Sequence, residues 1–483
     1  MDGAVAAPGA RGSLIRPLNG SLAGLLRRTD RLLLAAAALP PLGMAIGVAR
    51  FGLDVPFWDD WQMAGELSKL HAGTLTWGDV WPVYNGHRML VPRLVALEAL
   101  DLTGSLRALM WISVALAYLT FLCLLLQIRV DRAGRGVRAS LVLAASLLLF
   151  SAIEFENWTM GFQIHWYLGV FASVASLLAL TRWPGSGPAI AAAIAGAAVG
   201  TFSSAHGLAV WPAGAIAIGL LWKPGHARVR AAVAWVAAAA AALTLFFHDY
   251  QSPPGQLSYV AQHPRQMLSY VLTYVGNWAM PPMSVLGRLH VNGVAARTDF
   301  AALTGTFALV WAVVVYWPLF RCRRPDPLLL ASAPLAAYAL GAAVLTAIGR
   351  LDLGVDEAFS NRYAMISTLF WVALLMPSWG WLRARLPSRE RVSVRSWAVY
   401  ALLAVPLVGG YACGYVNGVI GLRDRAHGLA QAAPLLLDVD HVPDASLYVF
   451  WPDATSFRAL VKRIPPNIPP FSYAQEGGSP QEK

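Results

Sequence analysis

The chain has 483 residues, 57% of them hydrophobic and only 13% charged. Soluble domains carry about 25% charged residues, so too little charge is present here to clothe a soluble core of this size. The net charge of +11 raises the question of nucleic acid. The basic residues instead sit in short clusters between apolar runs, which is a pattern of membrane topology and not of phosphate-backbone binding.

A helix needs about 20 apolar residues to cross the hydrocarbon of a bilayer. Eleven stretches qualify: 31–51, 106–127, 138–153, 163–181, 188–204, 206–222, 229–248, 300–320, 327–348, 362–382 and 396–416. The predicted fold is therefore an all-α polytopic membrane protein of about eleven transmembrane helices. The first stretch follows a basic tail, 1–30, and has no small-x-small cleavage site before the next polar stretch, so it reads as a retained signal anchor. Ser203, Ser204 and His206 interrupt the pair around 188–222. Runs rich in Ala and Gly, at 191–200 and 231–242, suit close helix packing in lipid. The cysteines, Cys123, Cys322 and Cys413, lie in or beside three different apolar segments and suggest neither a disulfide framework nor a metal site.

Arginine and lysine fill every second connection: Arg27, Arg28 and Arg31, then Arg129, Arg132, Arg135 and Arg138, then Arg182, then Lys223, Arg228 and Arg230, then Arg321, Arg323 and Arg324, then Arg383 to Arg395. The positive-inside rule places this side, and the N-terminus, in the cytoplasm. An odd span count places the C-terminus outside. The opposite, outer side carries a long first loop, 52–105, a second long loop, 249–299, three short turns, and a polar tail, 417–483, with a Pro-rich end that reads as disordered. The abundance of Ala, Arg and Gly points to a bacterium of high genomic GC, hence to the bacterial inner membrane.

The outer side gathers the chemistry. Phe57-Trp58-Asp59-Asp60-Trp61 follows the first span, and adjacent carboxylates flanked by indoles at a membrane surface are costly to desolvate. Either they are solvated acids in an aromatic belt, or one is a general base whose neighbour's field assists it. Aromatic faces beside carboxylates also suit sugars. His87-Arg88 precedes Pro92-Arg93, where an amphipathic helix of about 14 residues is predicted, too short to span and suited to the interface. Arg offers a forked donor set for phosphate; Arg93 reads better as snorkelling to headgroups, and His87-Arg88 fit either role equally. Glu154, Gln163, His165 and Tyr167 lie at the outer end of the next pair of spans, and Arg362-Tyr363 opens the tenth. No Walker loop, dinucleotide fingerprint, zinc-protease helix or nucleophile elbow is present, so no nucleotide cofactor is expected.

A cytoplasmic N-terminus, one span, a long outer loop opening on an acidic pair, interfacial helices and a further run of spans resembles the GT-C superfamily of polyprenyl-phosphate-dependent glycosyltransferases. The resemblance covers 31–416 by layout and is sharpest over Asp54–Gly104, at Asp59-Asp60 and His87-Arg88 through Pro92. It implies Asp59 as the base that deprotonates the acceptor hydroxyl, with Asp60 second or holding a sugar hydroxyl or a divalent ion. It further implies Arg88, His87 and Arg362 at the donor phosphate, and Trp58, Glu154, Gln163, His165 and Tyr363 at the sugar or acceptor. The donor would be a polyprenyl-phosphate-linked sugar and the acceptor an envelope glycan, lipid or protein. Metal dependence stays open on an acidic pair alone. Two rival classes fit a multi-spanning chain: an O-antigen polymerase or ligase working through outer-loop Arg and His, and a glycan flippase or transporter. The second would need charges at mid-span in broken helices, and the mid-span positions here are nearly free of charge.

Overall fold

A computed structural model describes residues 30–128, 135–251, 256–280, 293–322, 325–385, 394–465 and 468–471. The predicted N-terminal tail up to residue 29 and the Pro-rich end after 471 lie outside them. The described residues form helices joined by short turns, and no strand occurs among them beyond one isolated bridge between Tyr84 and His87. Each of the eleven predicted stretches falls on a helix. Seven are long and apolar enough to cross a membrane: Asp30–Phe51, Leu106–Ile128, Ala139–Thr159, Gly161–Arg182, His226–Phe247, Ala295–Arg321 and Pro327–Leu353. The chain is thus an all-helical, multi-pass membrane protein.

The interrupted pair forms two shorter apolar helices, Gly187–Thr201 and Ala205–Leu221. The first has 15 residues. That is about 22 Å of rise, less than the roughly 30 Å of hydrocarbon. Its start is fixed by Ser186, whose side chain accepts from the Ala189 amide, followed by Pro188. The last two predicted spans become Ala364–Arg385 and a 39-residue helix, Val394–Ala432, which runs far beyond a bilayer's thickness.

Small residues set the packing, as expected where lipid removes the hydrophobic drive between helices. A Cβ on Gly276 would lie 1.9 Å from the Ala301 carbonyl oxygen, and one on Gly305 would lie 1.9 Å from that of Leu272. Helix Pro264–Gly276 therefore sits backbone to backbone on Gly293–Tyr316. Its Tyr270 and Tyr274 are fully buried. Part of the predicted second outer loop is thus a helix sunk in the bundle and not a surface connection, because its aromatic residues find partners there.

The first loop folds as a short turn of helix, Trp58–Trp61, then helices Gln62–His71, Trp77–Val80 and Leu90–Thr103. The last has 14 residues, as the pattern predicts, and buries Ala96, Leu97 and Leu100 while Leu102 stays exposed. Beyond Ala432 the chain is not a bare polar appendage. Short helices carry Phe450, Phe457 and Phe471 into a core with the fully buried Trp61, whose ring lies 5.0 Å from that of Phe457. Gly104, in the left-handed region at φ 62°, ends helix Leu90–Thr103 against Pro469. The tail therefore caps the first loop, and Trp58, itself at a strained φ of 47°, donates its amide to the Phe450 carbonyl at 2.9 Å.

Candidate active site

One end of the bundle is stitched together by long-range hydrogen bonds. His87 Nδ1 accepts from the Ala205 amide at 3.0 Å, Arg350 donates to the Asn85 carbonyl at 3.0 Å, and Asn157 donates to that of Arg362 at 3.1 Å. The Phe162 amide donates to Asp60 Oδ1 at 2.8 Å. The first loop, the turns near 154–163, 201–206 and 349–363, and the end of helix His226–Phe247 thus share one face of the molecule.

The acidic pair is divided by its surroundings. Asp60 is buried, and its two oxygens accept backbone amides from Phe162 and, at 3.1 Å, from Phe57. Burial outweighs those two donors and raises its pKa to about 7. Asp59 is half-buried, and its Oδ1 accepts from the Tyr84 hydroxyl at 2.6 Å. Desolvation raises its pKa, while Tyr84, Arg362 and Arg350 pull the other way and Glu156 adds to the rise. Asp60 ties two loops together; Asp59 is half-buried with one oxygen anchored by Tyr84. Trp58 projects beside them, 42% exposed.

The predicted phosphate residues separate. Arg88 is 1% exposed and already saturated. Its Nε donates to the Phe246 carbonyl at 2.9 Å, Nη1 to that of Trp81 at 3.0 Å and Nη2 to that of His248, and its guanidinium lies 4.5 Å over the Trp81 ring. It fastens the first loop to the end of helix His226–Phe247, with each of its three nitrogens already bonded to a backbone carbonyl. Arg93 is held likewise, by Glu66 at 3.2 Å and the carbonyls of Val80 and Pro82. His87 sits beneath the same turn with its Nδ1 occupied, and desolvation, then Arg350, His206 and Arg362, lower its pKa to about 3. It is a neutral ring at neutral pH and no electrostatic partner for phosphate.

Arg362 is placed differently. It pairs with Glu357 at 3.1 Å, yet its Nε is buried without a partner among the described residues. Burial works against its charge, but Glu156, Tyr363, Glu357 and Asp59 more than offset that and raise its pKa. A second cation, unforeseen in the sequence, is Arg425. Its Nε and Nη2 are buried without partners among the described residues, its guanidinium lies 4.1 Å over the Phe57 ring, and Glu156 and Asp60 are within its electrostatic reach.

Arg425 is delivered by a stripe of glycines. Cβ atoms on Gly414, Gly418 and Gly421 would lie 2.1 Å from the Trp278 carbonyl oxygen, 2.0 Å from the Ala152 carbonyl carbon and 2.4 Å from the Phe155 ring. With Gly410 and Arg425 they span about 80° of the helix surface at 100° per residue. The face that presses on residues 152–155 therefore carries Arg425 into the site one turn later. That spacing was a legible signal.

The predicted sugar and acceptor residues fall into two groups. His165 is buried with Nδ1 unpartnered, its ring 5.4 Å from those of His87 and Phe162. Tyr363 is joined to it through Trp166, stacks on Tyr274 at 5.1 Å and donates to Glu357. Gln163 and Glu154 are fully buried; among the described residues Gln163 donates only to the Met160 sulfur, and Glu154 has the Asn157 side chain beside it. Glu154 neighbours Tyr167, whose hydroxyl is unpartnered among the described residues. No group of three or more His, Cys, Asp or Glu able to hold a metal occurs among the described residues, and the three cysteines are free.

No protein-family model matches the sequence, and no curated protein matches it. Among solved structures the chain is similar to the archaeal oligosaccharyltransferase AglB from Archaeoglobus fulgidus, solved in complex with an inhibitory peptide and a dolichol-phosphate, at 14% identity and a TM-score of 0.45. The match covers 94% of this chain and 61% of that one, so the chain spans less than two thirds of the length of the protein it matches.

Proposed function

We propose that the chain is a membrane glycosyltransferase that moves a sugar from a polyprenyl-phosphate donor to an envelope glycan, lipid or protein acceptor. The observation that carries this reading is the joint placement of one anchored, half-buried carboxylate, Asp59, and two arginines with unfilled donors, Arg362 and Arg425, around the same turn. Asp59 takes the proton of the acceptor hydroxyl as its oxygen bonds to the anomeric carbon. The bond from that carbon to the phosphate oxygen breaks, and the leaving lipid phosphate carries its charge toward the guanidinium groups, which suit a phosphate's geometry. Asp60 holds the turn in register, and Trp58 offers a ring face to a sugar. The positive-inside pattern of the sequence supports an orientation with this end outside the cytoplasm, in keeping with a bacterial inner membrane.

The polymerase or ligase reading draws no support from His87, whose Nδ1 is taken by Ser204 Oγ and the Ala205 amide, and His206 is bonded through Nδ1 to Tyr338 at 2.9 Å. The test compares purified wild-type protein with Asp59→Asn and Asp60→Asn variants. Stabilisation by polyprenyl phosphate in all three, with transfer from mixed polyprenyl-phosphate sugars lowered about 10²–10⁴-fold in Asp59→Asn, is the expected result for a general base. Full turnover in Asp59→Asn removes the assignment.

A further inference from the structure

Tyr84 stands 25 positions from the acidic pair in sequence and meets it only through a turn built for that purpose. Residues 84–87 form a two-residue hairpin turn in which Tyr84 and His87 exchange both backbone hydrogen bonds, at 2.9 and 2.8 Å. Its central residues, Asn85 and Gly86, both have positive φ, 48° and 79°. Asn-Gly is the pair that tolerates this conformation best, and the turn type is the one suited to a twisted hairpin.

The turn is clamped from three sides. Arg350 bonds the Asn85 carbonyl, His87 receives the Ala205 amide, and Arg88 next in sequence is saturated by carbonyls of residues 81, 246 and 248. The Tyr84 ring packs edge-on against Phe162 at 5.6 Å, and Phe162 is the residue whose amide binds Asp60. Its hydroxyl then reaches Asp59 Oδ1 at 2.6 Å. A turn held this firmly, with no ladder of strands to support among the described residues, has positioning as its product.

We infer that Tyr84 is the positioning residue of Asp59: it occupies Oδ1 and leaves Oδ2 as the oxygen that receives the acceptor's proton. The inference rests on the reading of Asp59 as the base. It fixes the direction from which an acceptor hydroxyl must approach, on the side of Asp59 away from the turn. The proton moves from the acceptor oxygen to Oδ2, and the Tyr84 hydroxyl keeps its own proton throughout, donating more strongly while Asp59 is ionised than after it is protonated. Arg362, Arg350, Glu156 and Asp60 are the other charged groups that act on Asp59.

The test is Tyr84→Phe, which keeps the ring and its contact with Phe162 and removes only the hydroxyl. Losing a donor to the ionised carboxylate raises the Asp59 pKa. The acid limb of kcat/KM should therefore move up by about one pH unit, since a hydrogen bond to a charged group contributes that much, and kcat should fall about tenfold because the untethered carboxylate loses its orientation toward the acceptor. KM should stay within about twofold and the melting temperature should barely move, as expected for an interaction that acts on the reaction more than on ground-state binding. Tyr84→Leu, which also loses the ring, reports the packing contribution separately by lowering the melting temperature. An unmoved acid limb in Tyr84→Phe overturns the inference, even where kcat falls. A further comparison separates this from failure of the base reading: the pH dependence of melting in wild type, Tyr84→Phe, Asp59→Asn and the double variant reads the Tyr84–Asp59 coupling without turnover. Coupling present while Asp59→Asn still turns over would remove the base and with it the role given to Tyr84. An inactive Asp59→Asn beside an unmoved Tyr84→Phe profile would remove the tether alone.

Discussion

Two arginines at the same end of the molecule, Arg88 in the first loop and Arg425 on the last bundle helix, have opposite environments. Each of the three Arg88 nitrogens donates to a backbone carbonyl, and its face lies on Trp81. The Arg425 guanidinium has a ring, Phe57, on one side and two buried donor nitrogens without partners among the described residues. Both look alike as sequence: a cation after an apolar or Gly-containing run, near the outer face. What separates them is whether the fold already satisfies the guanidinium. A saturated guanidinium is a fastener. One with unfilled buried donors is a cost to the fold that a bound anion would relieve.

The largest effect expected from this contrast is on folding. Arg88→Met removes three hydrogen bonds from a charged donor and leaves the carbonyls of Trp81, Phe246 and His248 without their partner. At about 1.5 kcal/mol or more for each bond to a charged group, the loss should exceed about 4 kcal/mol. It should appear as a steep fall in melting temperature and in yield of folded protein. Lysine should recover little, since one ammonium cannot span carbonyls from residues 81, 246 and 248 in a planar fork. Near wild-type melting in Arg88→Met would mean that the fastener reading is wrong and that Arg88 is available to ligands after all.

How much of this was open to the sequence depended on range. The eleven helical stretches were legible because hydropathy is a local property, and each needed only its own residues. The acidic pair and the 14-residue helix starting near Val91 were legible for the same reason. Arg88 was not, because its partners lie 158 and 160 positions away and only the packed bundle brings helix His226–Phe247 to the loop. Tyr84 was overlooked although Asn85-Gly86 marked the turn, since a turn signal does not say which carboxylate the preceding side chain will meet. Arg425 was overlooked although the glycines at 410, 414, 418 and 421 point one face of the helix inward, because the hydropathic span ended at 416 and what followed read as tail. Trp61 read as an interfacial indole, but its partners Phe457 and Phe471 come from that same tail.

A smaller effect links the two regions through Asp60. Its folded pKa, about 7, lies above the ordinary 3.8 because burial penalises the ionised form. Stability from this group is therefore complete below about pH 4 and is lost as pH rises through 7. At 1.36 kcal/mol per unit the loss approaches about 4 kcal/mol over that window, an upper bound if the site relaxes on ionisation. Melting followed from pH 4 to 8 should fall in wild type and fall less in Asp60→Asn, which has no proton to lose there. Arg425 is one of the charges that lower the Asp60 pKa. Removing it should carry the decline to higher pH, and a decline of the same shape in Arg425→Met would show that the two groups do not feel each other.

The smallest expected effect on folding, and the sharpest on binding, is that of Arg425→Met itself. Methionine keeps an apolar stem against Phe57 and removes two buried donors that nothing fills, so melting of the ligand-free protein should change by no more than about 1 kcal/mol, and in either direction. Binding should respond differently. A guanidinium that meets a phosphate only when the donor arrives contributes little to the empty fold beyond its effect on Asp60, and about 1.5–3 kcal/mol to the complex. Stabilisation by polyprenyl phosphate should weaken by at least about tenfold in apparent affinity, while binding of the uncharged polyprenol stays as in wild type. Lysine at 425 should restore part of the affinity, because it returns the charge without the fork. Arg88→Lys, wherever it folds, should bind polyprenyl phosphate as wild type does. If Arg425→Met binds polyprenyl phosphate unchanged, the unfilled donors of Arg425 serve some other anion, and Arg362 alone is left to receive the leaving group.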